Sequence, residues 1–327
     1  MRNLVFALLL LLPLGARAEV SELRVTRQPS IIYLAPIIME QMKLVEANAA
    51  RLGLPNLITR WTVFGSGGQA TDTMLAGNVD IVTTGASNML LLWDRTRGGV
   101  RGLGSAAEIP MWAVSRNPAA KSLRDLGPND RIGVPTVKVS TQAILLQIAA
   151  RKLFGDADYA HFDGLEVTMS HPDAAAALIS GGGGITVHFS ASPYQEQEAR
   201  TPGLHVIATS DEILGQPFSN PVYFTTAKFR DANPTVIRAF VAAAREAAAF
   251  IAAHPREAAE TYLRATGEKY PVDELVAIIG DGRKTFDTTP VGMQLVADHM
   301  ADTKVLRSRP KSWKDFFWPE AHDQNGN

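Results

Sequence analysis

The 327-residue chain contains no cysteine. That absence excludes disulfides, thiolate metal sites, iron–sulfur clusters and thiol nucleophiles together. Charge of a dominant sign is also missing, since 32 Lys and Arg face 33 Asp and Glu. So even a balance cannot build the field that non-specific nucleic-acid binding requires. Beyond the first residues, no apolar run approaches the roughly 20 residues that span a bilayer. What is present is 46% hydrophobic residues, enough for a sizeable core and too many for a disordered chain. At roughly 100–200 residues per domain, the length implies two domains or one large one.

The first residues read as a targeting segment. Met1-Arg2-Asn3 is a short positive lead, and Leu4 to Leu14 is an apolar run interrupted by Pro13. Ala16-Arg17-Ala18 supplies the small-x-small pattern of a signal-peptidase site, so residues 1–18 are expected to be a signal peptide cleaved after Ala18. No cysteine follows that could carry a lipid anchor. The expectation is an exported protein, most simply of a bacterial periplasm.

From Glu19 onward, short β-rich runs alternate with helical ones. Leu23 to Thr26 reads as a strand and Tyr33 to Leu52 as a helix, with Pro36 tolerated in its first turn. Ile58 to Phe64 and Val79 to Thr83 are further strands. Gly65-Ser66-Gly67-Gly68 opens the helix between them, and Ser87 is placed to cap the next one. The same grammar restarts at Arg131 to Val134, followed by Ser140-Thr141 and a helix from Gln142 to Phe154. Strands at 165–169, 185–189 and 205–208 and helices at 172–179 and 194–199 complete that second series. Beyond Val222 to Thr225 the chain is helical, with proline at helix starts and glycine at helix ends. Strands alternating with helices imply an α/β fold of two mainly parallel sheets flanked by helices. Two extended segments, Ile109–Val114 and Gln216–Phe224, read as crossovers. They assign residues 19–114 with 218–327 to one lobe and 115–217 to a second, with a ligand cleft between them.

In open α/β sheets ligands bind beyond the carboxyl ends of the strands. Those ends read Gln28-Pro29-Ser30, Gly65 to Gln69, Thr84 to Asn88, Val139-Ser140-Thr141 and Ser190-Ala191-Ser192. Nearly all are glycine or hydroxyl residues leading into helices, where N–H groups and the helix dipole can hold an anion without a charged partner. Simple helix capping explains any one of these turns equally well. Five on two lobes favour a site.

Enzyme constellations do not assemble. The Gly65 loop has no phosphate-loop lysine, and its glycines do not have dinucleotide spacing. No serine sits in a hydrolase elbow, and the histidines show no metal-ligand spacing. No catalytic residue, metal or cofactor is therefore assigned. His188 reads as a structural histidine on an apolar strand, Asp281 with Arg283 as a surface ion pair or a turn, and Gly181–Gly184 as a flexible turn. The aromatic run Trp313 to Trp318 is expected to pack the tail onto the first lobe.

These motifs, in this order, resemble the nitrate/sulfonate/taurine family of periplasmic substrate-binding proteins (the SsuA/THI5-like group). The resemblance rests on Gln28-Pro29-Ser30, Phe64-Gly65-Ser66-Gly67, Met74 to Ile81, Thr84 to Ser87, Lys121 to Leu126 and Arg131 to Pro135. It spans nearly the whole chain after Ala18. It implies a two-lobed periplasmic-binding-protein fold of type II that closes on a small solute, without catalysis. By position, the implied ligand contacts are Gln28, Ser30, Ser66, Gly67, Ser87, Ser140, Thr141, Ser190 and Asn220. The implied partners are the solute and the membrane permease and ATPase subunits of an ABC importer, and such receptors are monomers by default. Ala191-Ser192-Pro193 lacks the aromatic residue that sulfonate and taurine binders place there, and Asn220 stands where an amine reader would be acidic. Both features argue against taurine. An anionic organic solute such as a sulfonate or a carboxylate is expected, and Ile31, Ile32, Phe189 and Phe218 suit an apolar or aromatic acid. The alternatives are an exported sensor or chemoreceptor partner binding the same solute, and a pyrimidine-synthase-like enzyme on the same fold.

Overall fold

The computed structural model describes residues 18–280 and 286–327. The expected signal peptide therefore lies outside the described residues, apart from Ala18, as does the Asp281–Arg283 pair. Along the chain, β1 (Glu22–Arg27) leads to α1 (Leu34–Gln41) and α2 (Leu44–Arg51), then β2 (Ile58–Val63), α3 (Gly67–Leu75), β3 (Ile81–Thr84), α4 (Ala86–Arg95) and β4 (Val100–Ser105). The second series is β5 (Trp112–Ser115), β6 (Ile132–Val134), α5 (Thr141–Phe154), β7 (Glu166–Thr168), α6 (His171–Ser180), β8 (Val187–Ser190), α7 (Tyr194–Arg200), β9 (His205–Thr209) and α8 (Ser210–Leu214). The chain ends through β10 (Val222–Thr226), α9 (Ala227–Ala232), α10 (Pro234–Ala253), α11 (Pro255–Thr266), α12 (Val272–Gly280) and α13 (Met293–Asp302).

Two mixed five-stranded sheets result, ordered β2-β1-β3-β10-β4 and β7-β6-β8-β5-β9. In each, three neighbouring strands pair in parallel and one crossing strand is inserted antiparallel. β10 runs against β3 and β4, and β5 against β8 and β9. The crossing strands are those that leave one series and return from the other, so each sheet is sewn to its neighbour by an antiparallel stitch. β5 starts at Trp112 and pairs wholly within the second sheet, three residues ahead of the boundary expected at 115.

The expected helix over 33–52 is two helices. Lys43 adopts a left-handed conformation (φ 52°) between Gln41 and Leu44, which no continuous α-helix permits. A second difference bears on the site: α4 is capped by Gly85, and Ser87 lies inside its first turn. β4 went unforeseen as a strand because glycine punctuates it, while most of β5 had been read as the extended crossover Ile109–Val114 rather than as part of a sheet.

The tail packs on the first sheet. Gly102 of β4 donates its N–H to Phe316 and accepts from Trp318 N–H (2.9 and 2.7 Å). A side chain at position 102 would overlap the Phe317 ring, so glycine is what lets the tail close on the strand. Phe316 and Phe317 are fully buried, Phe316 edge-on to Trp93, whose indole donates to Asp315 O at 2.9 Å. Among the described residues, no helix is long and apolar enough to cross a membrane.

Candidate functional site

The carboxyl ends of the parallel strands from both sheets meet at one small cavity of about 20 Å³, room for one or two waters. Four helices begin there. Gly67 of α3, Gly85 before α4, Ser140-Thr141 at α5 and His171 of α6 all line the wall. Two helix starts come from each side of the cleft, so the positive ends of four dipoles converge on a space walled by neutral groups. Nothing charged stands among the described lining residues other than His171, and burial pushes that imidazole well below its ordinary pKa, His188 adding to the effect.

Local sequence explains the closeness. A side chain at Gly85 would sit 2.7 Å from Thr141 Oγ1 and 3.2 Å from Asn88 Oδ1, so glycine there lets the two lobes approach. A Cβ at Gly67 would lie 2.4 Å from Thr84 Oγ1. Gln28 Oε1 accepts from Tyr33 OH (2.8 Å) and Thr84 Oγ1 (2.5 Å), which ties the end of β1 to the end of β3. Asn220, just before β10, accepts from Ala86 N–H at 3.0 Å and from Thr141 Oγ1 at 3.0 Å. One side chain thereby satisfies an orphan donor of α4 and bridges to α5.

Of the residues singled out in the sequence, Gln28, Gly67, Ser140, Thr141 and Asn220 line this cavity together. Four lie elsewhere. Ser66 caps α3 by accepting from Gln69 N–H and stays outside the wall. Ser30 donates to Ser192 O at 2.6 Å, and Ser87 donates to Val139 O at 2.7 Å. Both serine hydroxyls thus join the two lobes to each other. Ser190 is fully buried on β8, its hydroxyl without a hydrogen-bond partner, and is not part of the wall. Capping and lining coincide at Ser140, which accepts from Ala143 N–H at 3.3 Å while facing the cavity.

Tyr33, Gln142 and His171 line the wall without having been singled out, and Thr84 and Asn88 line it from a turn that had been named only as a whole. For His171 a signal existed: Ser170-His171-Pro172-Asp173 follows β7 as a capped helix start with proline in the first turn, the same grammar as the other turns. Gln142 and Asn88 sit one or two residues inside helices that had been recognised, where sequence alone does not say which face turns to the cleft.

The lobes are in direct contact on both sides of the cavity. Tyr194 of α7 donates to Glu268 (2.5 Å), Tyr270 donates to Gln197 (2.8 Å), and Arg200 pairs with Glu274 (2.6 Å). On the other flank Arg151 of α5 pairs with Asp302 of α13 at 3.1 Å. This is a closed arrangement.

Comparison with known proteins fits this architecture. The alkanesulfonate-binding protein SsuA of Xanthomonas axonopodis pv. citri, solved bound to MOPS, superposes with a TM-score of 0.70 at 16% identity, covering 89% of this chain and 96% of that one. The periplasmic nitrate-binding protein NrtA of Synechocystis PCC 6803 gives 0.71 at 13% identity, covering 93% and 89%. The periplasmic aliphatic sulphonate-binding protein SsuA of Escherichia coli gives 0.66 at 18% identity, covering 94% and 100%. At these identities the likeness establishes the fold, the two-lobed periplasmic-binding-protein architecture. Among curated proteins compared by sequence, none matches. The profile of the NMT1/THI5-like family matches residues 63–258, from the end of β2 through the start of α11. More than half of the chain carries that pattern, and the protein belongs to the NMT1/THI5-like family.

Proposed function

We propose that the protein is an exported solute receptor whose two lobes close around a small organic anion and hand it to an ABC importer. The observation that carries this reading is the convergence of four helix starts, two from each side, on one cavity walled by hydroxyls and amides. Once the lobes part enough to enlarge a space that now has room for one or two waters, such a wall can solvate a carboxylate or sulfonate with N–H and O–H groups in place of water. Gln28, Gly67, Ser140, Thr141 and Asn220 would contact the solute, while Ser30 and Ser87 would hold the closed form. The first lobe would comprise residues 19–109 and 222–327 and the second 112–215, with residues 110–111 and 216–221 as the hinge. Closing in this way creates a surface that a permease can distinguish from the open form. The similar periplasmic proteins that bind aliphatic sulphonates and nitrate support the same compartment here, with residues 1–18 as leader.

The test is a thermal-melt panel of alkanesulfonates, taurine, nitrate, aliphatic and aromatic carboxylates and pyrimidines. A true ligand at about 100 times its Kd adds about 2.7 kcal/mol, a rise of several degrees for a protein of this size. A selective rise with one class of acid is the expected result. A flat response to every anion, from folded protein, would overturn the reading.

A second reading has one observation in its favour. His171 lines the cavity with His188 behind it, and a pyrimidine-synthase-like enzyme would need histidine in its site. The same reading would also call for cysteine, which the chain does not contain. A turnover assay in which a pyrimidine product forms, and is lost in His171→Gln, would establish it.

A further inference from the structure

A chain of four side chains runs from the interior of the second lobe to the cavity wall. Glu198 Oε1 on α7 lies 2.6 Å from His188 Nδ1 on β8. His188 Nε2 lies 2.9 Å from His171 Nδ1 at the start of α6. His171 Nε2 in turn lies 3.2 Å from Gln142 Nε2 on α5, and turning that amide over presents Oε1 to the ring instead. Glu198 and His188 are both fully buried, and His171 and Gln142 are both part of the wall.

The directions of these bonds are coupled. A neutral imidazole has one donor and one acceptor nitrogen, so fixing one bond fixes the next, and the Gln142 amide orients to suit. An ionised carboxylate at Glu198, fully buried with no hydrogen-bond partner at Oε2, would require a counter-charge, and His188 is in contact with it. With a proton on both of its nitrogens, His188 donates to His171 Nδ1. His171 then carries its own hydrogen on Nε2 and donates to Gln142 Oε1, which turns the Gln142 NH2 toward the cavity. Without the extra proton His188 Nδ1 still donates to Glu198, but the two bonds beyond it reverse, His171 Nδ1–H now donating to His188 Nε2. His171 becomes an acceptor at Nε2, and the Gln142 carbonyl oxygen is turned away from it, toward the cavity.

Other polar groups stand around the relay: Tyr270 interacts electrostatically with Glu198 and donates to Gln197 at 2.8 Å. Tyr194 of α7 stacks 6.4 Å from the His171 ring and donates to Glu268. Asp173, on the same helix as His171, bonds Ser170. β5, beside His188, contributes Val114 opposite it.

We propose that the Glu198–His188–His171–Gln142 relay sets the polarity of the cleft: with its proton in place the wall offers N–H donors to an oxyanion, and with the proton gone it offers an acceptor that rejects one. The identity of the ligand rests on the receptor reading above, whereas the proton positions do not. His171 and Gln142 are specificity residues in this scheme, and Glu198 and His188 are positioning residues.

The proton positions are read by NMR of isotope-labelled histidine in the ligand-free, full-length protein at neutral pH, with His171→Gln and His188→Gln to assign signals. The expected spectrum shows His188 protonated on both nitrogens and His171 protonated on Nε2. In Glu198→Gln, His188 loses its extra proton and His171 shifts to the Nδ1–H form. A neutral His188 with Nδ1–H on His171 in the unmodified protein overturns the proposal, as does a Glu198→Gln spectrum with unchanged tautomers. The wild-type spectrum alone decides this if the variant fails to fold. Acetate and methanesulfonate serve as binding probes in a second arm. Glu198→Gln is expected to bind the better of them at least tenfold more weakly, and equal affinity contradicts the relay. If neither probe binds while the tautomers are as stated, the relay stands and the receptor reading fails.

Discussion

At the scale of single residues, two glycines and one asparagine decide the shape of the site. Gly67 and Gly85 are required for want of space, each facing a threonine hydroxyl within 2.7 Å of where a Cβ would stand. Gly67→Ala would push Thr84 off Gln28, and overpacking of this kind costs about 1–3 kcal/mol. Denaturant unfolding should show that loss, and an unchanged midpoint would mean the wall yields freely. Asn220, within the Gln216–Phe224 crossover, was implied by the family resemblance, but its double role at Ala86 N–H and Thr141 was not. Pairing across 79 residues of chain leaves no periodic trace. His188 illustrates the same limit. Its apolar strand suggested a structural histidine, and it is indeed buried and bonded, yet its partners Glu198 and His171 come from two different helices.

At the scale of elements, most of the fold was readable because caps and breakers sit where the strands and helices end. Ser140 accepts from Ala143 N–H at the head of α5, and Gly155, Gly181 and Gly267 follow the ends of α5, α6 and α11. Lys43 and Gly85 were misread for a physical reason. A left-handed lysine has no sequence signature, and a serine two residues past the true cap looks like a cap itself. Ser140 permits capping and binding to be separated. Ser140→Ala should lower stability by about 1 kcal/mol, whereas Ser140→Asp keeps a capping oxygen and restores it. Aspartate also puts a negative charge on the cavity wall, so anion binding should fall sharply in the stable variant. A Ser140→Asp protein that binds its anion normally would show that the residue is a cap and nothing more.

At the scale of the whole molecule, closure depends on contacts flanking the cavity as well as on the cavity. Arg151 of the second lobe meets His299 and Asp302 of the first. Burial, with Arg151 beside it, pushes the His299 imidazole down to about 4. Between that value and the ordinary one near 6.5, the unfolded chain binds a proton that the folded chain does not. Stability therefore falls as pH drops through this window, and His171, depressed in the same direction, adds to the slope. His299→Gln should make the acid limb of the stability curve shallower, and an identical slope would show that His299 does not contribute. The lobes are joined by side chains far apart in sequence, which is why the sheets could be foreseen from periodicity and the closed interface could not.

The central claim is that an anion binds between the lobes at the converging helix starts. Titration calorimetry with the best acid of the melt panel, on the unmodified protein and on Thr141→Val, tests it most directly. Thr141 lines the cavity and bonds Asn220 across the cleft, and valine keeps its shape without the hydroxyl. One site per chain is expected in the unmodified protein, with affinity reduced at least tenfold by the substitution, about 1.4 kcal/mol or more. An acid that binds both proteins equally, or no acid that binds either, would contradict the account.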